Sequence, residues 1–428
     1  MSRCPASSEP ISARAPQGAA RAEGISRRRM MTTGAALAVG LAGTAATAPP
    51  AAAGVAPGRA PGAVPPPVRL VLPRPSGGQA LGTTALHLID HQRRDPWVPT
   101  RPVREVMVQL WYPARAAAGL PRAPWMTAAS AQVFQQTGYL RPEYATLPDT
   151  HARSGAPADL RQGRRPVIVY SHGHGQHRGS STALVEELAS HGYVVVTIDH
   201  TYDAGQVEFP GGRVESYAMP TPTGDDDPTI LKAVEVRVAD TRFVLAELAR
   251  RVRDRRHPLP HGVGDLLDLS RTAMFGHSLG GATAASALAA GVPLAAGADL
   301  DGTLFGPVVA EGLRRPLLLM GADRDTDSSW SAIWPRLHGW RRGIRVTGTL
   351  HFSYTDYEAF MPQVAARLGA TDAQLAEFIG PLDAARALAL QRKLLVAYFD
   401  LHLRGRRTPI LDGPSPRYPE LRFFGGAA

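Results

Sequence analysis

The chain has 428 residues, of which 44% are hydrophobic and 20% are charged, and its formal net charge is +10. This composition is sufficient for one large folded domain or two small ones, and it excludes a chain that is mostly disordered. The positive charge is scattered along the chain rather than gathered in one basic helix, so we expect no nucleic-acid partner.

The first 80 residues predict an export signal followed by a linker. Ser26 precedes three arginines at 27–29, and a weakly apolar stretch rich in Ala and Gly spans residues 33–48. This pattern resembles a twin-arginine signal, so residues 1–53 predict secretion. The apolar stretch is short for a membrane anchor, and no run of about 18 strongly apolar residues follows residue 55. Residues 54–80 are rich in Ala, Pro and Gly and predict a linker without its own core.

The rest of the chain, residues 81–428, predicts a single α/β domain. Apolar runs predict strands at 103–112, 166–170, 192–199, 271–275, 294–300, 316–320 and 343–347, and helical spacing predicts helices at 180–191, 233–252, up to 290 and at 383–404. Continuous apolar strands that alternate with helices predict a mostly parallel sheet with helices on both faces. The connection at 202–228 is long and serves either as a cap over the site or as a surface excursion.

A candidate nucleophile lies in residues 276–280, which read Gly-His-Ser-Leu-Gly between a predicted strand and a helix. This arrangement fits the Gly-x-Ser-x-Gly elbow, whose sharp turn needs small residues on both sides of the serine. The turn would present the Ser278 hydroxyl at the start of a helix, where the Leu279 amide can donate to an oxyanion. No cysteine nucleophile competes, because the one cysteine is Cys4.

A serine nucleophile needs a base and an acid that orients the base, in the chain order Ser, acid, His for this fold. His351 directly follows the last predicted strand and is preferred to His338 and His402. Two acids have suitable positions: Asp301 follows the strand after the elbow, and Asp325 follows the next strand. Spacing alone does not separate them.

The second oxyanion donor is expected in the glycine-rich loop 171–175, Ser-His-Gly-His-Gly, where the amide of His174 is the candidate. His172, His174 and His177 could also suggest a zinc site, but no nearby carboxylate is spaced to complete it. We therefore expect neither a metal nor an organic cofactor.

Six segments together resemble the plasma-type platelet-activating factor acetylhydrolase family of α/β-hydrolases and its bacterial relatives. They are residues 108–113, 170–175, 191–200, 276–281, 299–302 and 351–356, and the resemblance spans roughly residues 81–425. It implies an α/β-hydrolase fold and hydrolysis of short-acyl, phospholipid-type esters by a Ser-Asp-His triad through an acyl-enzyme. In that family the acid lies in a Leu-Asp pair, which matches Leu300-Asp301 and favours Asp301 over Asp299 and Asp325. The resemblance also implies oxyanion amides at His174 and Leu279.

One segment departs from that family. Residues 321–327, Gly-Ala-Asp-Arg-Asp-Thr-Asp, resemble the acid loop of secreted cutinase-like polyester hydrolases. This keeps open an alternative function, a lipase or polyester hydrolase with Asp325 as the acid. A peptidase of the same fold and a catalytically silent binding module are further alternatives. The expected partner is a small-molecule or lipid ester, and peripheral contact with a lipid surface is compatible with it.

Overall fold

A computed structural model of the protein describes residues 65–425, apart from 137, 226, 255–258 and 324–326. The predicted export signal of residues 1–53 and the alternative acid Asp325 lie outside the described residues.

Strands and helices alternate along most of the described chain. The strands are β1 (Val68–Arg69), β2 (Leu81–Asp90), β3 (Arg104–Pro113), β4 (Arg122–Pro124), β5 (Ala145–Thr146), β6 (Asp149–Ser154), β7 (Arg165–Ser171), β8 (Val194–Asp199), β9 (Gln206–Glu208), β10 (Val214–Ser216), β11 (Leu267–His277), β12 (Gly297–Leu300), β13 (Leu317–Gly321), β14 (Arg341–Val346) and β15 (Leu421–Phe424). The helices are α1 (Ala128–Phe134), α2 (Thr182–Ser190), α3 (Pro228–Arg253), α4 (Val263–Leu266), α5 (Leu279–Ala289), α6 (Pro307–Glu311), α7 (Ser328–Ile333), α8 (Tyr357–Leu368), α9 (Asp372–Ile379) and α10 (Ala384–Arg404).

In the part of the chain that the structure describes, eleven strands form one sheet in the order β15-β14-β13-β12-β11-β7-β8-β3-β2-β6-β4. The run from β14 to β8 is parallel throughout, and antiparallel pairing begins at β3 on one side and at β15 on the other. The carboxyl ends of these parallel strands therefore meet at one edge of the sheet. The prediction of a mostly parallel sheet is confirmed.

Both faces of the sheet are buried, because alternate residues of each central strand pack on opposite cores. In β7, Val167 and Val169 join the cluster formed with α3 and α5, whereas Ile168 and Tyr170 join the cluster formed with α2 and α10. Burial of each valine or isoleucine side chain in these clusters contributes about 1.5–3 kcal/mol to the free energy of folding. Within the described ranges, no helix combines the length and apolarity needed to cross a bilayer.

Residues 65–80, at the end of the predicted linker, lie against the domain. β1 pairs in parallel with β5, and Leu70 and Leu72 are buried in a cluster that includes residues of α8. The side chain of Gln363 on α8 accepts from the Val71 amide at 2.9 Å and donates to the Val71 carbonyl at 2.8 Å. We call residues 65–80 the N-terminal strap.

Candidate active site

The predicted elbow is a sharp turn between β11 and α5. Ser278 has φ 55° and ψ −124°, and its amide donates to the Leu300 carbonyl at 2.9 Å. A positive φ at a residue other than glycine costs about 1–3 kcal/mol. A Cβ on Gly276 would lie 2.2 Å from the Gly280 carbonyl carbon, and one on Gly280 would lie 2.0 Å from the Ser171 carbonyl oxygen. Both flanking positions therefore exclude any side chain.

The structure brings Asp301 and His351 together at the same edge of the sheet. The Asp301 Oδ2 atom lies 2.6 Å from His351 Nδ1, and its Oδ1 accepts from the Ala322 amide at 2.8 Å. Asp301 is buried and has φ 57°, so its side chain turns out of the line of β12 toward the imidazole. His351 begins a short 3₁₀ helix, His351–Tyr354, and its ring is 31% exposed. Because Nδ1 contacts the carboxylate, Nε2 remains available as a base.

His277, the residue before the serine, connects the elbow to residues 347–356, which we call the histidine loop. Its Nε2 donates to the His351 carbonyl at 3.0 Å, and the two rings lie 4.5 Å apart between centroids. The base candidate therefore packs directly beside the elbow. The Ser278 hydroxyl forms no hydrogen bond with any described residue, and contacts between nucleophile and base are often long before a substrate binds. No sequence signal indicates these contacts of His277, because the residue occupies an unspecified position of the motif.

Three other residues were considered as the acid or the base, namely Asp299, His338 and His402, and their surroundings differ from those of Asp301 and His351. Asp299 accepts from the Gly302 amide at 2.9 Å and from Trp330 Nε1 at 3.2 Å, and burial raises the pKa of its carboxyl well above its ordinary value. His338 is exposed, and His402, near the end of α10, packs against the rings of Trp340 and Tyr398. Among the described residues, none of these three forms a hydrogen bond, ion pair or ring contact with His351.

The two candidate oxyanion amides lie on adjacent elements. Leu279 is the first residue of α5, where helical amides have no partner within the helix. The His174 amide forms no hydrogen bond to a described residue, and its ring Nε2 lies 2.9 Å from the Tyr217 hydroxyl. Tyr217 belongs to the long connection at 202–228. This connection therefore borders the glycine-rich loop 171–175, which we call the oxyanion loop after its candidate role.

The three histidines of this region make separate contacts. The Nδ1 atom of His172 donates to the Gly173 carbonyl at 2.7 Å, and the Nδ1 of His177 accepts from the Gly179 amide at 3.1 Å. Burial lowers the pKa of His177 to about 3 and the pKa of His172 well below its ordinary value. Among the described residues, no group of three or more histidine, cysteine or carboxylate side chains is placed to hold a metal ion.

An aromatic cavity of about 80 Å³ lies between the oxyanion loop and the segment after His351. Its lining residues are Trp125, Phe134, Gly175, Gln176, His177, Ser180, Gln206, Thr355, Asp356, Tyr357 and Phe360. Trp125 meets the rings of Phe134, His177 and Phe360 edge to face, at 4.8–5.5 Å between centroids. This cavity was not predicted, because residues 114–160, which supply Trp125 and Phe134, show no clear periodicity.

Asp356 joins the histidine loop to the helix that follows the oxyanion loop. Its carboxylate accepts from Trp125 Nε1 at 2.7 Å and from the amides of Thr182 and Ala183 at 2.9 Å each. The two amides belong to the first turn of α2, where a carboxylate is favourable. Burial nevertheless raises the pKa of Asp356 to about 7. The three hydrogen bonds join the cavity wall, through Trp125, to the start of α2 and to the segment after His351.

Comparisons with known proteins identify the family of this chain. The family described as platelet-activating factor acetylhydrolase, isoform II, matches residues 97–208 and 261–407, more than half of the chain. A probable 1-alkyl-2-acetylglycerophosphocholine esterase of Arthroderma benhamiae is 26% identical over 398 residues, which is 84% of this chain and 95% of that protein. The platelet-activating factor acetylhydrolase of Bos taurus is 25% identical over 58% of this chain and 59% of its own length.

A solved structure extends the similarity to the fold. The ferulic acid esterase of Streptomyces cinnamoneus is 36% identical and superposes with a TM-score of 0.70, covering 83% of this chain and 99% of that one. The predicted α/β-hydrolase fold and the predicted family are thereby confirmed. The chain belongs to the platelet-activating factor acetylhydrolase, isoform II, family and is a carboxylic ester hydrolase.

Proposed function

We propose that the protein hydrolyses short-acyl esters through an acyl-enzyme on Ser278. The serine oxygen attacks the ester carbonyl carbon while His351 Nε2 takes its proton. The carbon–oxygen bond to the alcohol then breaks, and the imidazolium gives its proton to the departing alkoxide. Water attacks the acyl-serine by the same route, so that the carboxylic acid leaves and Ser278 regains its proton.

Asp301 holds the imidazole in the tautomer that leaves Nε2 basic, and it stabilises the imidazolium that forms. The amides of Leu279 and His174 donate to the oxyanion of each tetrahedral intermediate. One such donor contributes about 10²–10³ in turnover where it has been removed in other hydrolases. No metal or organic cofactor takes part in this scheme.

The observation that carries the proposal is the 2.6 Å contact between His351 Nδ1 and Asp301 Oδ2 beside the strained elbow. A buried carboxylate on Nδ1 and a half-exposed ring are the arrangement that a general base needs. The same contact favours Asp301 over Asp325 as the acid, and with it the acetylhydrolase-like activity over the cutinase-like alternative.

The substrate class is proposed from the relatives. The Arthroderma protein is named for a glycerophosphocholine ester with an acetyl group, which supports a short acyl group on a lipid-type alcohol. A second candidate is an aromatic acyl ester, favoured by the aromatic cavity beside the oxyanion loop and by the 36% identity to a ferulic acid esterase.

Labelling with a fluorophosphonate tests the nucleophile. We expect one adduct on Ser278 by peptide mass spectrometry, and Ser278→Ala should neither be labelled nor hydrolyse p-nitrophenyl acetate. The proposal is contradicted if the Ser278→Ala variant is labelled, if that variant is fully active, or if the wild type is not labelled.

A panel of esters tests the substrate. It comprises p-nitrophenyl esters of rising acyl length, a 2-acetyl glycerophosphocholine and methyl ferulate. A preference for two or three acyl carbons supports the first candidate, a preference for ferulate supports the second, and a preference for long chains supports the lipase or polyester alternative.

We further propose that residues 1–53 direct export through a twin-arginine route. The support is the Ser-Arg-Arg-Arg run at 26–29 and the apolar stretch after it. Changing Arg27 and Arg28 to lysine should retain the protein in the cell; unchanged appearance in the medium would exclude this route.

A further inference from the structure

A buried arginine on α3 contacts the loop that carries the second oxyanion amide. Arg237 is fully buried, and its Nε and Nη2 each lie 2.6 Å from one carboxylate oxygen of Asp203. Its Nη1 donates to the His172 carbonyl, and its Nη2 lies 3.4 Å from the Gly173 carbonyl. One guanidinium thus joins a carboxylate and two consecutive carbonyls of the loop.

The geometry of the peptide bond links these contacts to the oxyanion amide. The Gly173 carbonyl and the His174 N–H belong to one planar trans peptide unit, in which the two groups point in opposite directions. The same carbonyl also accepts from His172 Nδ1 at 2.7 Å and from the Gln176 amide at 3.1 Å. Donors that gather on the carbonyl therefore fix the direction in which the His174 N–H points.

The surrounding groups make this arrangement rigid. Asp203 is buried, and the buried ring of His200 has a partner at each nitrogen. Its Nε2 lies 3.0 Å from the Ser171 hydroxyl, and its Nδ1 lies 3.0 Å from the Asp240 carboxylate. A buried ion pair is weak evidence for stability, since apolar side chains of similar volume often replace one without loss. The stability of the fold alone therefore does not account for a guanidinium at this place.

We propose that Arg237, oriented by Asp203, is a positioning residue for the oxyanion site: it holds the Gly173–His174 peptide so that the His174 amide faces the developing oxyanion. This inference rests on the proposed function. It assigns to Arg237 an effect on the transition state and not on substrate binding, because only the oxyanion uses that amide.

Two variants test it. Arg237→Lys keeps the charge but cannot bind Asp203 through two nitrogens and reach the carbonyls as well. The double variant Arg237→Met with Asp203→Leu replaces the pair with apolar groups and guards against a simple failure to fold. In both we expect kcat to fall about 10–100-fold with KM within about twofold, which is less than the full loss of an oxyanion donor. Affinity for a trifluoromethyl ketone, whose adduct carries the oxyanion, should fall in parallel.

Arg404, on α10, provides the matched control. Its Nη1 lies 2.9 Å from Asp400, and its two Nη atoms donate to the consecutive carbonyls of His191 and Gly192 at 3.0 and 2.9 Å, without a hydrogen bond to loop 171–175. Arg404→Lys should lower the melting temperature and leave kcat and ketone affinity near those of the wild type.

All assays are run below the melting temperature of each variant. Wild-type kcat and ketone affinity in folded Arg237 variants overturn the positioning role, and so does an equal loss in Arg404→Lys. These results are separable from failure of the proposed function. If wild-type Ser278 is labelled and active while the Arg237 variants keep full turnover, only the positioning role fails; if the wild type is not labelled, the proposed function itself fails.

Discussion

The two sides of the candidate site are built in different ways. On one side, the serine and the aspartate directly follow the parallel strands β11 and β12, and the histidine follows β14 after a short turn. On the other side, the cavity wall combines Trp125 and Phe134 from around α1 with Phe360 from α8. The first side uses neighbouring strands, whereas the second joins segments more than 200 residues apart in the chain.

If the proposed function holds, one side of the site carries the reactive groups and the other side determines which substrate is accepted. Parallel strands deliver the residues that follow them to one sheet edge, so the reactive groups are close wherever the strands pair in register. The wall depends on long-range contacts such as the hydrogen bond from Trp125 to Asp356, which no local pattern specifies. We therefore expect changes on the strand side to remove activity, and changes on the wall side to alter stability and substrate choice.

The largest effect is expected from the acid. Asp301→Asn should lower kcat for p-nitrophenyl acetate about 10⁴-fold, because the amide favours the wrong tautomer of His351. Asp325→Asn serves as the control and should leave kcat within about threefold. The opposite pattern would transfer the role of the acid to Asp325.

The next effect is expected from the elbow glycine. In Gly280→Ala, the new Cβ would lie 2.0 Å from the Ser171 carbonyl oxygen and 2.8 Å from that of His172, both of them backbone atoms. We expect the free energy of unfolding to fall by about 3 kcal/mol, measured by urea titration, together with most of the activity. Gly119→Ala has open space around the new Cβ and should change stability by less than about 0.5 kcal/mol. Equal free energies of unfolding for Gly280→Ala and Gly119→Ala would show that the elbow has room for a Cβ at residue 280.

On the wall side, Glu358 on α8 predicts a pH dependence. Its side chain is buried, its carboxyl oxygens have no partner among the described residues, and Ser353 Oγ donates to the Ile379 carbonyl instead. Burial raises the pKa of Glu358 to about 8 from an ordinary value of 4.5. Between these two pH values the carboxyl of Glu358 is ionised in the unfolded chain and protonated in the folded chain. The contribution of Glu358 to the free energy of unfolding is therefore highest below pH 4.5 and decreases as the pH rises toward 8.

Glu358→Gln removes this dependence. The melting temperature of the variant should gain on the wild type from pH 5 to pH 8, by the equivalent of about 3.5 kcal/mol. Glu311→Gln, at an exposed position, should follow the wild type across this range. Parallel curves for Glu358→Gln and the wild type would show that the buried carboxyl does not keep its proton.

The smallest effect is expected at Phe134, a half-buried member of the cavity wall. Phe134→Leu should reduce kcat/KM for methyl ferulate about three- to tenfold relative to p-nitrophenyl acetate, since a ring contact is lost. Phe243→Leu, half-buried on α3, should leave that ratio unchanged. An unchanged ratio in Phe134→Leu would mean that the cavity does not receive the acyl group.

The sequence predicted the strand side of the molecule well. Predicted strands at 166–170, 271–275 and 316–320 correspond to β7, β11 and β13 within a few residues, because fully buried strands appear as continuous apolar runs. Helix 383–404 corresponds to α10, which begins at Ala384. Spacing could not choose between Asp301 and Asp325, since both follow strands that end at the same edge.

The wall side could not be predicted in this way. Strand β2 and helices α8 and α9 were not predicted, although Thr371 and Gln374 form a capping box that could have indicated the start of α9. The contacts of Arg237 and Asp356 with distant loops carry no sequence signal. The partners in those loops are main-chain carbonyls and amides, which any residue at those positions would supply.

The N-terminal strap has a practical consequence for maturation. Removal of the proposed export signal at residue 53 leaves the strap whole, so the mature enzyme keeps Leu70 and Leu72 in their places on α8. A shortened version starting at residue 81 would instead uncover that apolar surface and lose the carbonyls of Pro73 and Arg74 that receive Arg392. Such a truncated enzyme should aggregate more readily, whereas one starting at residue 54 should behave as the processed form does.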